Sequence, residues 1–256
     1  MIPKTSSASS WFDDVCEAVR FLTVFKLPSR NFMPENGLAR AMIFFPAVGL
    51  VIGGLSFVCF NVASSFFPPR IATLFLLIAP ILMSGGLHMD GFADFCDGFF
   101  GGKSKTDILR IMKDPNVGAL GAVGVALLML VKFELLCAVP DKIIIFLLAM
   151  AVSRWSQVVL SFFLPYAGLG GGMSQRVAGK ITSREVLGAT LFLMPFLFWL
   201  GKEEIFILAG VVPFLFLIGL YFKSKIGGVT GDLLGAASEL TEVFVFLFAT
   251  GLANHG

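Results

Sequence analysis

Residues 41–69 read AMIFFPAVGLVIGGLSFVCFNVASSFFPP, a run of 29 positions without one charged side chain. At about 1.5 Å per residue a helix of that length exceeds the ~30 Å hydrocarbon core of a bilayer, so the stretch predicts a membrane span. Ile71–Leu87 repeats the pattern. Further apolar runs follow at Val117–Val139, Ile143–Leu164, Val186–Leu200, Ile205–Phe222 and Leu233–Leu252. The count is seven, the fifth being short and the last carrying Glu239 and Glu242.

Composition supports a lipid solvent. Of 256 residues 57% are hydrophobic and 14% charged, with mean hydropathy +0.89, whereas an average soluble domain carries about 25% charged residues. The expected architecture is all-α: one domain over residues 1–256, a polytopic integral membrane helical bundle of about seven transmembrane helices. Residues 1–40 form its cytoplasmic, interfacial N-terminal segment. Within it Trp11, Val15, Ala18, Val19, Leu22 and Phe25 recur at helical spacing while Asp13, Glu17 and Arg20 fall on the other side, the pattern of a helix lying in the interface and ended by Pro28. Lys4, Asp13, Asp14, Glu17, Arg20 and Lys26 interrupt any continuous apolar core there, so no cleavable signal peptide is expected.

A net charge of +2 gives no electrostatic case for nucleic acid. Cys16, Cys59, Cys96 and Cys137 are too scattered for a disulfide framework or a zinc knuckle. The distribution of positive charge is more telling. With the N-terminus inside, 14 of the 19 Lys and Arg fall on the inner side and only Arg70, Lys142 and Lys202 on the outer, leaving Lys132 and Arg154 within spans. That asymmetry obeys the positive-inside rule and predicts a multi-pass protein of the cytoplasmic (inner) membrane with its polar loops facing the cytoplasm.

One such connection is GGLHMDGFADFCDG, residues 85–98. Asp90, Asp94 and Asp97 are four and three apart, so a helix turns them to one face, within an arc of about 60°. Stacked like charges next to a membrane call for a bound cation, and a hard divalent ion with oxygen ligands fits. Mg²⁺ is commonly held by one or two carboxylates together with water and substrate phosphate, so the cluster points to a phosphate-bearing ligand. His88, two residues earlier, is a ligand, a base or an interface residue. Arg110, Lys113 and Asp114 precede Gly118 and Gly121, where close backbone approach could admit phosphate oxygens. A second polar group, Gly227-Gly228-Val229-Thr230-Gly231-Asp232, leads into the last span, where Asp232 and Glu239, seven apart, share a face. Acids within a span usually face a cavity or a partner, and Arg154 is a candidate counter-charge for Glu239. Gly168–Gly172, followed by Ser174, Gln175 and Arg176, lacks the Lys-Ser/Thr ending of a P-loop and reads as a mobile cytoplasmic loop.

Taken in order, Gly86-x-His88-x-Asp90-Gly91-x-Ala93-Asp94-x-x-Asp97-Gly98, then Ile111-Met112-Lys113-Asp114 with Gly118, and then Gly228-x-Thr230-Gly231-Asp232-x-Leu234-Gly235-Ala236-x-x-Glu239, resemble the cobalamin synthase family, the adenosylcobinamide-GDP ribazoletransferases. The similarity runs from Arg20-Phe21-Leu22-Thr23 to the last span. It departs at Pro115 and Asn116, where Ser and a basic residue are usual in that family.

The resemblance implies a Mg²⁺-dependent membrane enzyme that joins adenosylcobinamide-GDP to α-ribazole or its 5′-phosphate, giving adenosylcobalamin or its phosphate and releasing GMP. On that reading Asp90, Asp94 and Asp97 hold the metal, and Arg110, Lys113, Asp114 and Thr230 contact substrate. Asp232, Glu239 and His88 carry the catalytic roles. The partners are the two small-molecule substrates and the lipid bilayer, with a homo-oligomer or a complex with other corrinoid-pathway enzymes left open. Residue chemistry alone reaches only metal-dependent phosphotransfer. It leaves two alternatives: another diphosphate-using membrane transferase, of the CDP-alcohol phosphotransferase or prenyltransferase class, and a cation transporter. The former's DG-x-x-AR pattern is not met, since Gly91-Phe92-Ala93 continues with Asp94.

Overall fold

The structure is a computed structural model describing residues 10–28, 36–139, 142–168, 177, 179–199 and 202–253. Lys4 and most of the glycine-rich stretch, with Ser174, Gln175 and Arg176, lie outside them.

Twelve helices are found among the described residues: α1 (Trp11–Leu22), α2 (Gly37–Ala41), α3 (Phe45–Ser64), α4 (Pro69–Ser84), α5 (Leu87–Gly101), α6 (Lys105–Ile111), α7 (Ala119–Ala138), α8 (Lys142–Phe163), α9 (Ser183–Leu191), α10 (Met194–Trp199), α11 (Lys202–Ile226) and α12 (Gly231–Ala253). A 3₁₀ turn, Met42–Phe44, joins α2 to α3. The bundle is built around α12, which packs against α5, α7, α8 and α11, while α3 lies against α4 and α8.

Five helical stretches are long and apolar enough to cross a membrane, or six if the bent pair α4–α5 counts as one span. Two expectations therefore change. The span read over Ile71–Leu87 ends at Ser84: α4 is 16 residues long, and α5 leaves it at 91°. Gly85 and Gly86 make that corner at φ +63° and +75°, a left-handed backbone that costs glycine little and other residues much. Val186–Leu200, the short fifth candidate, is no single helix, being divided into α9 and α10. The α9 start is fixed by a capping box in which Thr182 and Glu185 satisfy each other's backbone N–H groups.

The N-terminal helix forms, from a Ser10–Asp13 capping box, and it ends at Leu22 with Thr23 extended, short of Phe25 and Pro28. Its apolar face is only partly the anticipated one. Cys16, Ala18 and Leu22 are buried together with Asp14, whose carboxylate meets the Arg40 guanidinium of α2 at 2.6 Å. That ion pair clamps α1 over the start of α3, where Phe21 stacks on Phe45 with ring centroids 5.5 Å apart.

Candidate functional site

The Gly85-Gly86 corner decides where the aspartates go. By turning the chain it lays α5 against the beginning of α12, and the contact is too close for side chains. A Cβ on Gly91 would stand 2.5 Å from the Asp232 carbonyl oxygen, and one on Gly235 would stand 3.2 Å from the His88 Cα. The two acidic motifs, with Asp90 and Asp232 142 residues apart in sequence, thereby meet. Asp90, Asp97 and Asp232 all press their charge on the half-buried Asp94, and Lys113 opposes them. Lys113 and Asp90 likewise act on Asp232, whose carboxylate also meets the Thr230 hydroxyl. Thr230 is itself buried and accepts the Leu233 N–H at 3.3 Å, so it holds the first turn of α12 in place.

Asp97 is engaged differently from its two neighbours. Its oxygens accept the backbone N–H groups of Gly118, at 2.7 Å, and Gly121, at 2.8 Å, at the start of α7. The carboxylate thus satisfies two of the orphan donors of a 20-residue helix and sits at the positive end of its dipole. The two glycines are read in sequence as room for phosphate, and the room is taken by Asp97: a Cβ at either position would fall within 2.4 Å of that carboxylate.

The other sequence-derived contacts are on α6 and beyond. Arg110 is exposed and paired with Asp107 at 2.6 Å. That hydrogen bond, followed by the one from the Lys103 N–H, holds the Asp107 carboxyl below its ordinary range. Asp114 is held below its ordinary range by the backbone N–H and then the side-chain amide of Asn116. Lys113 is exposed and is the member of this group that faces the aspartates.

Glu239 is not brought to them. Seven residues place it on the same face of α12 as Asp232 but about 10 Å further along the axis, inside the bundle. There Lys132 Nζ of α7 lies 2.8 Å from Glu239 Oε2 and 2.5 Å from Glu242 Oε2, and Arg154 of α8 is paired with Glu242. The Arg154–Glu239 pairing considered from sequence is therefore corrected: Glu242, three residues and nearly one turn on, faces α8. All four charges are buried and they cancel two against two, and this makes them tolerable where a lone Lys or Arg costs about 2.5–3.5 kcal/mol on insertion scales. Lys132, the one basic residue of its run, is the signal that sequence reasoning noted without using.

Beside the aspartates lies a cavity of about 180 Å³. Phe21, Leu38, Met42 and Phe45 are among the apolar residues that line it, and Asp90 and Asp232 line it as well. His88, Gln157 and Ser161 form a polar strip within it, all three buried. Gln157 Nε2 lies 2.9 Å from His88 Nε2. Sequence reasoning missed Gln157 and Ser161, although their spacing of four on one face of an apolar span is a signal of the kind it used for the aspartates.

What the arrangement offers chemically is an open, acidic, oxygen-only site with one neighbouring ammonium. Among the described residues no three His, Cys, Asp or Glu side chains are grouped so that they could hold a metal ion, so Asp90, Asp94 and Asp97 do not form the three-ligand set expected from their spacing. Two carboxylates that leave most positions to water and substrate oxygens suit Mg²⁺ rather than zinc or a caged calcium.

Comparison with known proteins gives concordant results. A family model described as cobalamin-5-phosphate synthase matches residues 14–250. An adenosylcobinamide-GDP ribazoletransferase of Chlorobaculum tepidum is 36% identical over 238 residues, 91% of this chain and 92% of the relative. That of Chlorobium phaeovibrioides is 37% identical over 243 residues, 92% and 96% of the two chains. That of Acetivibrio thermocellus is 30% identical over 232 residues, 90% and 94%. No solved structure matches.

Proposed function

The chain belongs to the cobalamin-5-phosphate synthase family, and from that premise we propose that its α5–α12 crossing is the site at which adenosylcobinamide-GDP and ribazole are joined. The observation that carries the reading is the meeting of the Asp90–Asp94 face with Asp232 across the Gly91 contact, with Lys113 beside them. The protein is a multi-pass membrane transferase of cobalamin biosynthesis. The excess of Lys and Arg on the site side supports its placement in the cytoplasmic membrane with the site facing the cytoplasm.

A hydroxyl of ribazole attacks the phosphorus that carries cobinamide. A new P–O bond forms, the anhydride bond to the GMP phosphate breaks, GMP departs with the bond's electron pair, and the hydroxyl proton passes to a carboxylate. Asp232 is suited to that last role, being half-buried in the lining of the cavity and within the influence of the Lys113 charge. Glu239, already neutralised by Lys132, is suited to holding α12 in register instead.

The donor set of hard carboxylates fits Mg²⁺, with Asp90 and Asp94 as its ligands and Asp97 as the third acid of the face, its oxygens already shared with the Gly118 and Gly121 N–H groups. When bound, the ion supplies charge neutralisation on the diphosphate. Lys113 approaches the same oxygens as a point charge, and Arg110 can join it only by leaving Asp107. His88, hydrogen-bonded to Gln157 inside the cavity, is better placed to orient the acceptor than to touch the phosphates.

The test is product identification. Purified protein in lipid nanodiscs, given adenosylcobinamide-GDP, ribazole and Mg²⁺, is expected to yield the joined cobalamin and GMP in equal amounts by mass spectrometry. GMP without cobalamin would point to hydrolysis, and neither product from folded protein would refute the assignment.

A further inference from the structure

We propose that the cavity beside the aspartates is the pocket for the aromatic base of the acceptor nucleoside, with Ser161 as the hydrogen-bond donor to its ring nitrogen. The inference rests on ribazole being the acceptor.

Size comes first. A cavity of roughly 150 Å³ accommodates a benzene ring, so about 180 Å³ suits a compact fused heterocycle, and only its ribose need project from it. Lining comes second. Phe21, Leu38, Met42 and Phe45 offer an apolar surface to a flat ring.

The polar atoms left over are the third and most specific feature. Ser161 Oγ and His88 Nδ1 are buried without a hydrogen-bond partner among the described residues, although Ser161 is only 6% and His88 3% exposed. A buried polar group left unpaired costs about 1–3 kcal/mol, so a site that keeps two of them is one that a ligand completes. With the Gln157 amide nitrogen facing the ring, that nitrogen can only donate. His88 Nε2 therefore accepts, and the neutral imidazole carries its proton on Nδ1. Gln157, Tyr166, Thr230, Asp90 and Asp232 also line the pocket, and among its polar groups Ser161 Oγ and His88 Nδ1 are the buried atoms left without a partner.

A benzimidazole nucleoside matches that inventory. One ring nitrogen bears the sugar, the other is a lone acceptor, and the remaining edge is apolar. The Ser161 hydroxyl donates to the lone ring nitrogen. His88, which lines the same cavity, donates through Nδ1–H to a ribose oxygen. The ribose then emerges where Asp90 and Asp232 stand.

The experiment measures binding of ribazole alone, with no donor present, to the full chain in nanodiscs by calorimetry. Ser161→Ala is expected to weaken ribazole about fivefold to tenfold, the scale of one hydrogen bond. Ser161→Leu, which fills the cavity, is expected to weaken it by about a hundredfold. Affinity for adenosylcobinamide-GDP should stay within about twofold of wild type in both. Ribazole binding unchanged in both folded variants, or a loss of the GDP-bearing donor in its place, overturns the proposal. If wild type makes no product yet binds ribazole in a Ser161-dependent manner, the transfer reading fails and the pocket assignment stands. Normal turnover with Ser161-independent ribazole binding has the reverse meaning.

Discussion

Gly91 and Asp232 touch through their backbones: a Cβ on Gly91 would stand 2.5 Å from the Asp232 carbonyl oxygen and 3.0 Å from its Cα. Everything proposed for the site depends on that closeness. Gly91→Ala is expected to push α5 and α12 apart by a fraction of an ångström to an ångström, a displacement that can cost about a hundredfold in turnover. The helices should remain folded and inserted, so kcat and thermal stability measured on one preparation separate the effects. A variant that turns over like wild type would mean the crossing is not the reacting centre.

The Asp97 carboxylate offers a second check because it is bonded to backbone rather than to substrate. Asp97→Ala should lower stability by about 1.5–3 kcal/mol, the range for charged hydrogen bonds, by stripping the α7 N-terminus of its partner. Urea or thermal unfolding in detergent reads this with no metal or substrate present. A variant as stable as wild type would place Asp97 purely among the metal ligands.

Inside the bundle, removing one member of the Lys132–Glu239–Glu242–Arg154 cluster leaves a buried charge uncompensated. Lys132→Met is expected to destabilise by about 3–5 kcal/mol. Adding Glu239→Gln to it should restore part of the loss, and a double-mutant cycle on unfolding temperature measures how much. Additive losses would mean the pair at 2.8 Å contributes no coupling.

Lys113 and Arg110 differ in a way activity can resolve. Lys113 faces the aspartates, while Arg110 is exposed and tied to Asp107. Lys113→Met should raise KM for the diphosphate donor and lower kcat, together about tenfold to a hundredfold in kcat/KM, whereas Arg110→Met should change it less than about threefold. Equal effects would put both on the phosphates.

Much of this was legible from residue order. Long uncharged runs announce helices in lipid because nothing else satisfies backbone polar groups there, and α3, α7, α8, α11 and α12 answer to them. The spacing of Asp90, Asp94 and Asp97 announced a helix face, and α5 is that helix. The corner at Gly85-Gly86 was harder to see, since two adjacent glycines permit a left-handed turn without requiring one. Val186–Leu200 is apolar enough for a span but divides into α9 and α10, and hydropathy carries no information on such a break. Glu239 was paired with the wrong cation and grouped with Asp232 because periodicity gives the face of a helix and not the depth, and about 10 Å of depth separates Asp232 from a buried ion cluster. Gln157 and Ser161 stand four apart in an apolar span, a signal the sequence offers, but their link to His88, 69 residues from Gln157, comes only with the fold.

The central claim is that the Asp90–Asp94 face works with a divalent cation in the joining reaction. The most direct measurement strips the purified protein with EDTA, returns Mg²⁺ in a titration, and follows cobalamin formation for wild type and Asp94→Asn at equal, folded concentration. Wild type is predicted to regain full activity, and Asp94→Asn to need far more Mg²⁺ and remain at least about a hundredfold slower at saturation, as expected when a charged metal ligand is lost. Turnover that survives EDTA, or an Asp94→Asn titration that overlays wild type, would contradict the account.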